Sequence, residues 1–350
     1  MERFCVGSDI SAERVVIAYR CEKGRVERQT FGNEAVGRRA LIKNLKKRAR
    51  GTIRVVMEST GVYGLDLALA LDRAGIELMV ANPRAAAHFA KATLQRSKTD
   101  ALDAEMLLLF AESMPFRRWE APSATQLELR GISRRVQALL ETVRAEKNRM
   151  HAAQHVEGTT IVRKSIRATI KAVANQIAAL RAEALKLIKS ESSLLGRYEL
   201  LLTIKGVGQI SAISIIAELA VLPLDMTDRQ WVAHAGLDPR LFESGTSVQA
   251  IPRISKRGNS YLRAVLYLPA RVACRFDPSA ARFAARLKGN GKKPLQVHVA
   301  VMRKLLHGIH AMFTTGQAYD GSKLFPAVGA VGTSGIALSA ISEVSIALPA

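Results

Sequence analysis

The apolar and polar positions change period three times along the chain. "FCVGSDI" and "RVVIAYR" are short β-rich runs, and "GRVERQTF" alternates apolar with polar residues behind a glycine turn, so residues 3–31 are predicted as strands. "EAVGRRALIKNLKKRA" has the spacing of a basic amphipathic helix, and "TIRVVME" is an apolar run predicted as a buried strand between Gly51 and the "STG" turn. "YGLDLALALDRAG" predicts a helix closed by Gly75, and "IELMVANP" a strand stopped by Pro83. A further helix is predicted to begin near Thr99. Strands followed by helix, strand, helix and strand predict an α/β layer over a mixed sheet.

The middle of the chain changes to a longer period. Leu129, Ile132, Val136, Leu139 and Val143 recur at spacings of three and four, and Val162, Ile166, Ile170, Val173, Ile177, Leu180, Ala184 and Leu187 do much the same. That is the apolar seam of a long coiled-coil helical hairpin, turning at "HAAQHVEGTT" around Gly158, which either spaces two domains or dimerises. From Tyr198 the pattern is compact and helical again. "LLTIKGVGQISAISIIAEL" sets Gly206 and Gly208 between two apolar helical stretches, as in a helix-hairpin-helix whose tight turn aims backbone N–H groups at a phosphate. A plain helical turn in a core is the ordinary alternative. The expected organisation is an α/β domain over 1–120, the helical hairpin over 121–195, a mostly α domain over 196–325, and a flexible apolar tail over 326–350 whose only charge is Glu343.

Composition narrows the partners. The 350 residues include 52 Lys and Arg against 30 Asp and Glu, a net charge of +22, with 48% hydrophobic residues. Such a chain is globular, and its excess charge points first to a polyanion, nucleic acid. An anionic membrane surface would call for a basic amphipathic anchor or a lipidation motif, and neither is found; the tail holds too much Gly, Ser, Thr and Pro for a membrane span. Cys5, Cys21 and Cys274 are scattered and odd in number, which suggests a reducing compartment without disulfides or a cysteine zinc site. The N-terminus runs straight into a strand pattern, so no signal peptide is expected and the cytoplasm is the expected location.

Cleaving a phosphodiester needs an attacking oxygen, a stabilised leaving oxygen and neutralised phosphate charge, which clustered carboxylates holding divalent ions can supply. Asp9 ends the first strand, in "VGSDIS"; alone, it is ordinarily a turn-starting aspartate. Glu58 ends the apolar run "VVM", where a carboxylate needs either water or a cation. Asp100 and Asp103 share one face of a helix start, where they suit the helix dipole and Thr99 can cap. They would repel unless a cation bridges them or water screens them. In "GLDPRLFESGTSVQAIPRISKRGNSYLRAVLY", Ser244 and Ser247 flank Gly245 in what reads as a loop, and Arg253, Lys256, Arg257 and Arg263 follow as phosphate-binding candidates. A serine in such a loop is ordinarily a turn residue. The histidine pairs His151/His155 and His307/His310 lack zinc spacing and read as helix surface or core, and Trp119, Tyr261 and Tyr267 read as packing groups before base-stacking ones.

Taken in order, "GSDIS", "MESTGVYG", "NPRAAAHFA", "SKTDALDAEML", "IKGVGQISAISIIAEL", "WVAHAGLDPRLFESGTS" and "RISKRGNSYLRAVLY" resemble the DEDD-type insertion-sequence transposases, the IS-one-ten and IS-eleven-eleven family, from about Val6 to Phe325. The resemblance implies a RuvC-like, RNase H-type N-terminal domain joined through long helices to a helical C-terminal transposase domain. It implies that Asp9, Glu58, Asp100 and Asp103 bind Mg²⁺, and that Ser244, ahead of Ser247, is the nucleophile forming a transient phosphoserine link with DNA. It also implies donor and target DNA and a non-coding bridge RNA as partners, and a homodimer that assembles to a tetramer. Ser8, where the family has an apolar residue, and Ala12, where it has Lys, depart from the pattern, and the tail after Phe325 has no counterpart. Two other readings stay open: a RuvC-like junction-resolving nuclease that uses water and no serine, and a non-catalytic RNA- or DNA-binding protein that needs no acids.

Overall fold

The computed structural model describes residues 3–58, 61, 63–93, 99–240, 243–244, 248–249 and 253–326. The chain divides into two compact units, Met1–Ser123 and Ala124–Ala350.

The first unit is built on a five-stranded mixed sheet. Strands β1 (Arg3–Ile10), β2 (Arg14–Arg20) and β3 (Val26–Gly32) form an antiparallel meander; helix α1 (Ala35–Arg48) leads to β4 (Thr52–Glu58), and α2 (Leu65–Arg73) to β5 (Glu77–Ala81). The spatial order is β3-β2-β1-β4-β5, with β1, β4 and β5 parallel. Alternation along the strands sorts their side chains between two layers. Val6, Ile10, Val55, Met57 and Leu78 pack with Leu41 and Leu45 of α1 and Leu67 and Leu71 of α2. Val56 and Ala81 face the other way, against α3 (Pro83–Ala92) and α4 (Asp100–Ser113). The predicted strands and helices are all present. The alanine-rich stretch after Pro83, which carried no helix prediction, forms α3: Asn82 caps it, accepting from the backbone N–H of Arg84 at 2.9 Å, and Pro83 opens it.

Gly7 decides how closely α4 approaches β1. A Cβ there would stand 2.1 Å from the carbonyl oxygen of Ala104 and 2.2 Å from the amide nitrogen of Leu108, so only glycine lets the helix backbone rest on the strand. Arg20 at the end of β2 pairs with Glu112 at 2.8 Å, and Arg28 of β3 pairs with Glu105, fixing α4 across the meander.

The second unit is helical. Helices α5 (Ala124–Gln154) and α6 (Thr160–Ser190) run as a hairpin around Gly158, which adopts φ +75°. Helices α7 (Ser192–Leu202), α8 (Gln209–Leu219) and α9 (Asp228–His234) follow. One apolar core joins Leu129, Val136 and Leu139 of α5 and Ile177 and Ile188 of α6 to Ile215, Leu266, Leu305 and Phe325. The hairpin therefore shares its core with the C-terminal helices. Val162, placed on the expected seam, is exposed.

The segment read as a loop contains strands. β6 (Pro239–Arg240) pairs with β9 (Arg253–Ile254), and β7 (Glu243–Ser244) pairs with β8 (Val248–Gln249), both antiparallel. Two-residue strands are too short to leave a periodic trace in sequence. Helices α10 (Ser260–Phe276), α11 (Pro278–Gly289), α12 (Pro294–Thr315) and the short α13 (Gly321–Leu324) complete the unit. His307 joins Asp228 at 2.8 Å and His310 meets the Met226 carbonyl at 2.8 Å, so this histidine pair holds α12 on α9. Among the described residues, no helix is long and apolar enough to cross a membrane.

Candidate active site

The sheet brings Asp9 and Glu58 to one end of two neighbouring strands. In the parallel pair β1–β4 the last matched couple is Ser8 with Met57, and the next residue on each strand is a carboxylate. Alternation puts Asp9 on the face of Cys5 and Gly7, and Glu58 on the face of Val56, which is the face α4 covers. Ala104 and Leu108 lie over Gly7, so the first turn of α4 falls at the Asp9 end. That turn carries Asp100 and Asp103, and its start is fixed by Thr99, whose hydroxyl accepts from the Leu102 amide at 3.3 Å.

Electrostatics report the convergence. Partial burial, then the charges of Asp103 and Asp100, and then that of Glu58 push the Asp9 carboxyl up to about 6; a hydrogen bond from the Ile10 amide acts against them. Four carboxylates from three elements therefore share one field. Oxygen donors of this kind suit a hard divalent cation such as Mg²⁺. Among the described residues no three His, Cys, Asp or Glu groups stand close enough to ligate one ion as they are. Like charges hold each other apart, and a cation would draw them in. In its donor chemistry and in the field its members share, the set fits such an ion.

Two supporting residues escaped sequence reading. Gly7 sits inside a strand pattern, which is itself the signal for close backbone approach. Asn33 is buried, and its side-chain amide donates to the carbonyls of Ser11 at 2.8 Å and Tyr63 at 3.0 Å. It thus ties the turn that follows Asp9 to the segment that follows Glu58. Ser8 points into the opposite, apolar layer with a buried hydroxyl that has no hydrogen-bond partner among the described residues, which is the physical sense of an apolar preference there.

In the second unit Ser244 lies on β7, paired with Val248. Its side chain, together with Gly245 and Ser247, is outside the described residues, as is the tail from 327 onward. The base of this double hairpin is firmly built. Gly236 (φ +65°) and Gly258 (φ +120°) let backbone pass where a Cβ would lie 2.6 Å from the Arg257 carbonyl and 2.2 Å from the His234 carbonyl. Lys256 (φ +51°) donates its amide to Gly236, and Ser255 reaches Asp238 at 2.5 Å. Beneath them Glu218 of α8, 2% exposed, accepts two bonds from Arg134 of α5 (2.8 and 2.9 Å) and one from Asn259 (2.6 Å), the residue that caps α10. Burial alone would raise the Glu218 carboxyl; the hydrogen bonds and charge of Arg134, with Asn259, outweigh it and hold the carboxyl below its usual range.

The phosphate-binding candidates divide. Arg253, Lys256 and Arg257 are exposed, whereas Arg263 is half-buried and donates to the Ala235 carbonyl at 2.8 Å. Gly206 (φ +96°) packs against α10, where a Cβ would meet the Pro269 carbonyl at 2.8 Å, while Gly208 opens α8 with free space around it. Tyr261 lies under Arg134 and Tyr267 under Arg271.

Comparison with known proteins gives the family. Residues 6–157 match a transposase family of the DEDD IS110 type, and residues 198–285 match the transposase IS116/IS110/IS902 family. The chain belongs to this IS110 family of transposases, and so to the enzymes of DNA recombination. It is 25% identical over 271 residues to a pilin gene-inverting protein of Moraxella bovis, covering 77% of this chain and 82% of that one, and equally so to its counterpart in Moraxella lacunata. A "Probable family 20 transposase" of Pseudomonas aeruginosa is 39% identical over 79 residues, 23% of each chain.

Proposed function

We propose that this chain excises and inserts an insertion-sequence element by Mg²⁺-dependent strand cleavage and exchange, guided by a bridge RNA that pairs with donor and target DNA. In this reading 1–120 form a RuvC-like, RNase H-type catalytic domain, 121–195 a coiled-coil connection that also dimerises, and 196–325 the C-terminal transposase domain. The working form is a cytoplasmic homodimer that assembles to a tetramer on DNA. The observation that carries the proposal is the convergence of Asp9, Glu58, Asp100 and Asp103 on one sheet end, in a chain of net charge +22.

Asp9 and Glu58 are delivered by rigid strands, and Asp100 and Asp103 by a capped helix start, so together they would hold Mg²⁺. The bound ion would offset the negative charge that grows on the phosphate and leaving oxygen. Ser244 attacks phosphorus: the Oγ–P bond forms, the P–O bond to one deoxyribose breaks, and the serine proton ends on the released sugar hydroxyl. Attack by a second DNA hydroxyl reverses the link and joins the new strand. Gly206 and Gly208, with Arg253, Lys256, Arg257 and Arg263, bind phosphates along the way.

Trapping the covalent protein–DNA adduct tests the reading. Asp9→Ala and Ser244→Ala should each abolish the adduct and strand exchange while leaving DNA binding in place. Cleavage that survives Ser244→Ala unchanged would favour a water-using junction nuclease. Function that survives Asp9→Ala would favour a non-catalytic binding protein.

A further inference from the structure

Helices α10 to α12 carry a charge imbalance that neither the acids nor Ser244 use. Between Ser260 and Thr315 the chain has ten Lys and Arg and a single acid, Asp277. That acid is buried, and its hydrogen bonds are spent inside the fold: Oδ1 accepts from the Ser279 and Ala280 amides at 2.8 and 3.0 Å, and Oδ2 from the Tyr319 hydroxyl at 2.7 Å.

Three basic groups meet on these helices. Tyr267 of α10 packs edge-on against His298 of α12, ring centres 5.7 Å apart, and the Arg271 guanidinium lies over the same tyrosine ring at 5.7 Å. Burial first, then the charges of Arg271 and Lys288, hold the His298 imidazole below its usual range, so Lys288 at the end of α11 shares the same field. The Nδ1 of His298 is buried and without a hydrogen-bond partner among the described residues. Arg271 and Lys288 are exposed, and neither has an ion pair with an acid among the described residues.

An anion with several oxygens would satisfy all three groups at once. The positive charge also continues along α10: Arg275 follows Arg271 by one helical turn and is exposed. A single small anion has no use for that extension, but a chain of phosphates does. We infer that Arg271, Lys288 and His298 form a nucleic-acid phosphate site, with Arg275 extending it along the sugar–phosphate backbone. The site goes beyond the catalytic reading and would stand without it.

The test measures binding of the full chain to a random-sequence duplex DNA and to an RNA hairpin across a salt series. Arg271→Gln with Lys288→Gln should weaken binding about tenfold at fixed salt and flatten the slope of log affinity on log salt by about two, near 0.9 per lost phosphate contact. Lys23→Gln with Arg25→Gln, in the β2–β3 turn beside Glu22, removes the same charge and should do much less. In the unaltered chain, DNA or RNA should protect Lys288 from acetylation, which needs no variant. Loss on DNA alone, on RNA alone or on both supports the phosphate site and tells which polymer it holds. An unchanged slope, an equal effect of the control pair, or an unprotected Lys288 would overturn it.

Discussion

Asp9 is the residue on which pH acts most directly. Its carboxyl, pushed up to about 6 by burial and by Asp103, Asp100 and Glu58, holds its proton more tightly in the folded protein than in the unfolded chain, where a value near 4 is usual. The folded state is thus favoured at this group below about pH 4, and that advantage disappears as pH climbs through about 6, after which the repelling charge is a cost. Half-exposure screens the effect, leaving about 1–2 kcal/mol. Asp9→Asn should therefore raise the thermal midpoint by ~2–4 °C at pH 7.5 and by nothing at pH 4, measured by calorimetry without divalent ions. A midpoint that does not move at pH 7.5 would mean that the four acids do not share a field. Gly7 acts on the same site through space rather than charge. Gly7→Ala would force α4 off β1, costing about 3 kcal/mol in denaturant unfolding and displacing Asp100 and Asp103 from Asp9, with strand cleavage lost.

At the scale of elements, the acidic site is a meeting of strand ends and a helix start, and the serine hairpin is a short ladder on a buried ionic base. Glu218→Ala would leave Arg134 half-buried without its carboxylate and would uncouple Asn259 from α8; a loss of about 3 kcal/mol is expected. Equilibrium unfolding checks the loss, and the same variant should reduce adduct formation at Ser244 beyond what stability alone accounts for. The sequence made the first of these meetings legible and the second not. Asp9 and Glu58 announce themselves as charges ending apolar strands, and Thr99 as a cap before an acid pair. Glu218 reads as one more acid in an amphipathic helix, because its partner Arg134 lies 84 residues earlier. Asn33 is silent for the same reason: its partners, Ser11 and Tyr63, are brought to it only by the sheet order. The two-residue strands around Ser244 fall below the length at which alternation can be read.

For the whole molecule, two compact units hold the two candidate regions, the acids at a sheet end in the first and the Ser244 hairpin with the cationic helices in the second. A net charge of +22 brings phosphates to the chain without selecting among them. The most direct measurement of the central claim is calorimetric binding of Mn²⁺, standing in for Mg²⁺, to the full chain and to Asp9→Asn, Glu58→Gln, Asp100→Asn and Asp103→Asn in turn. Saturable binding that each of the four substitutions weakens by on the order of tenfold or more is the expected result. Binding that any of the four leaves at full strength, or no saturable binding at all, would contradict it.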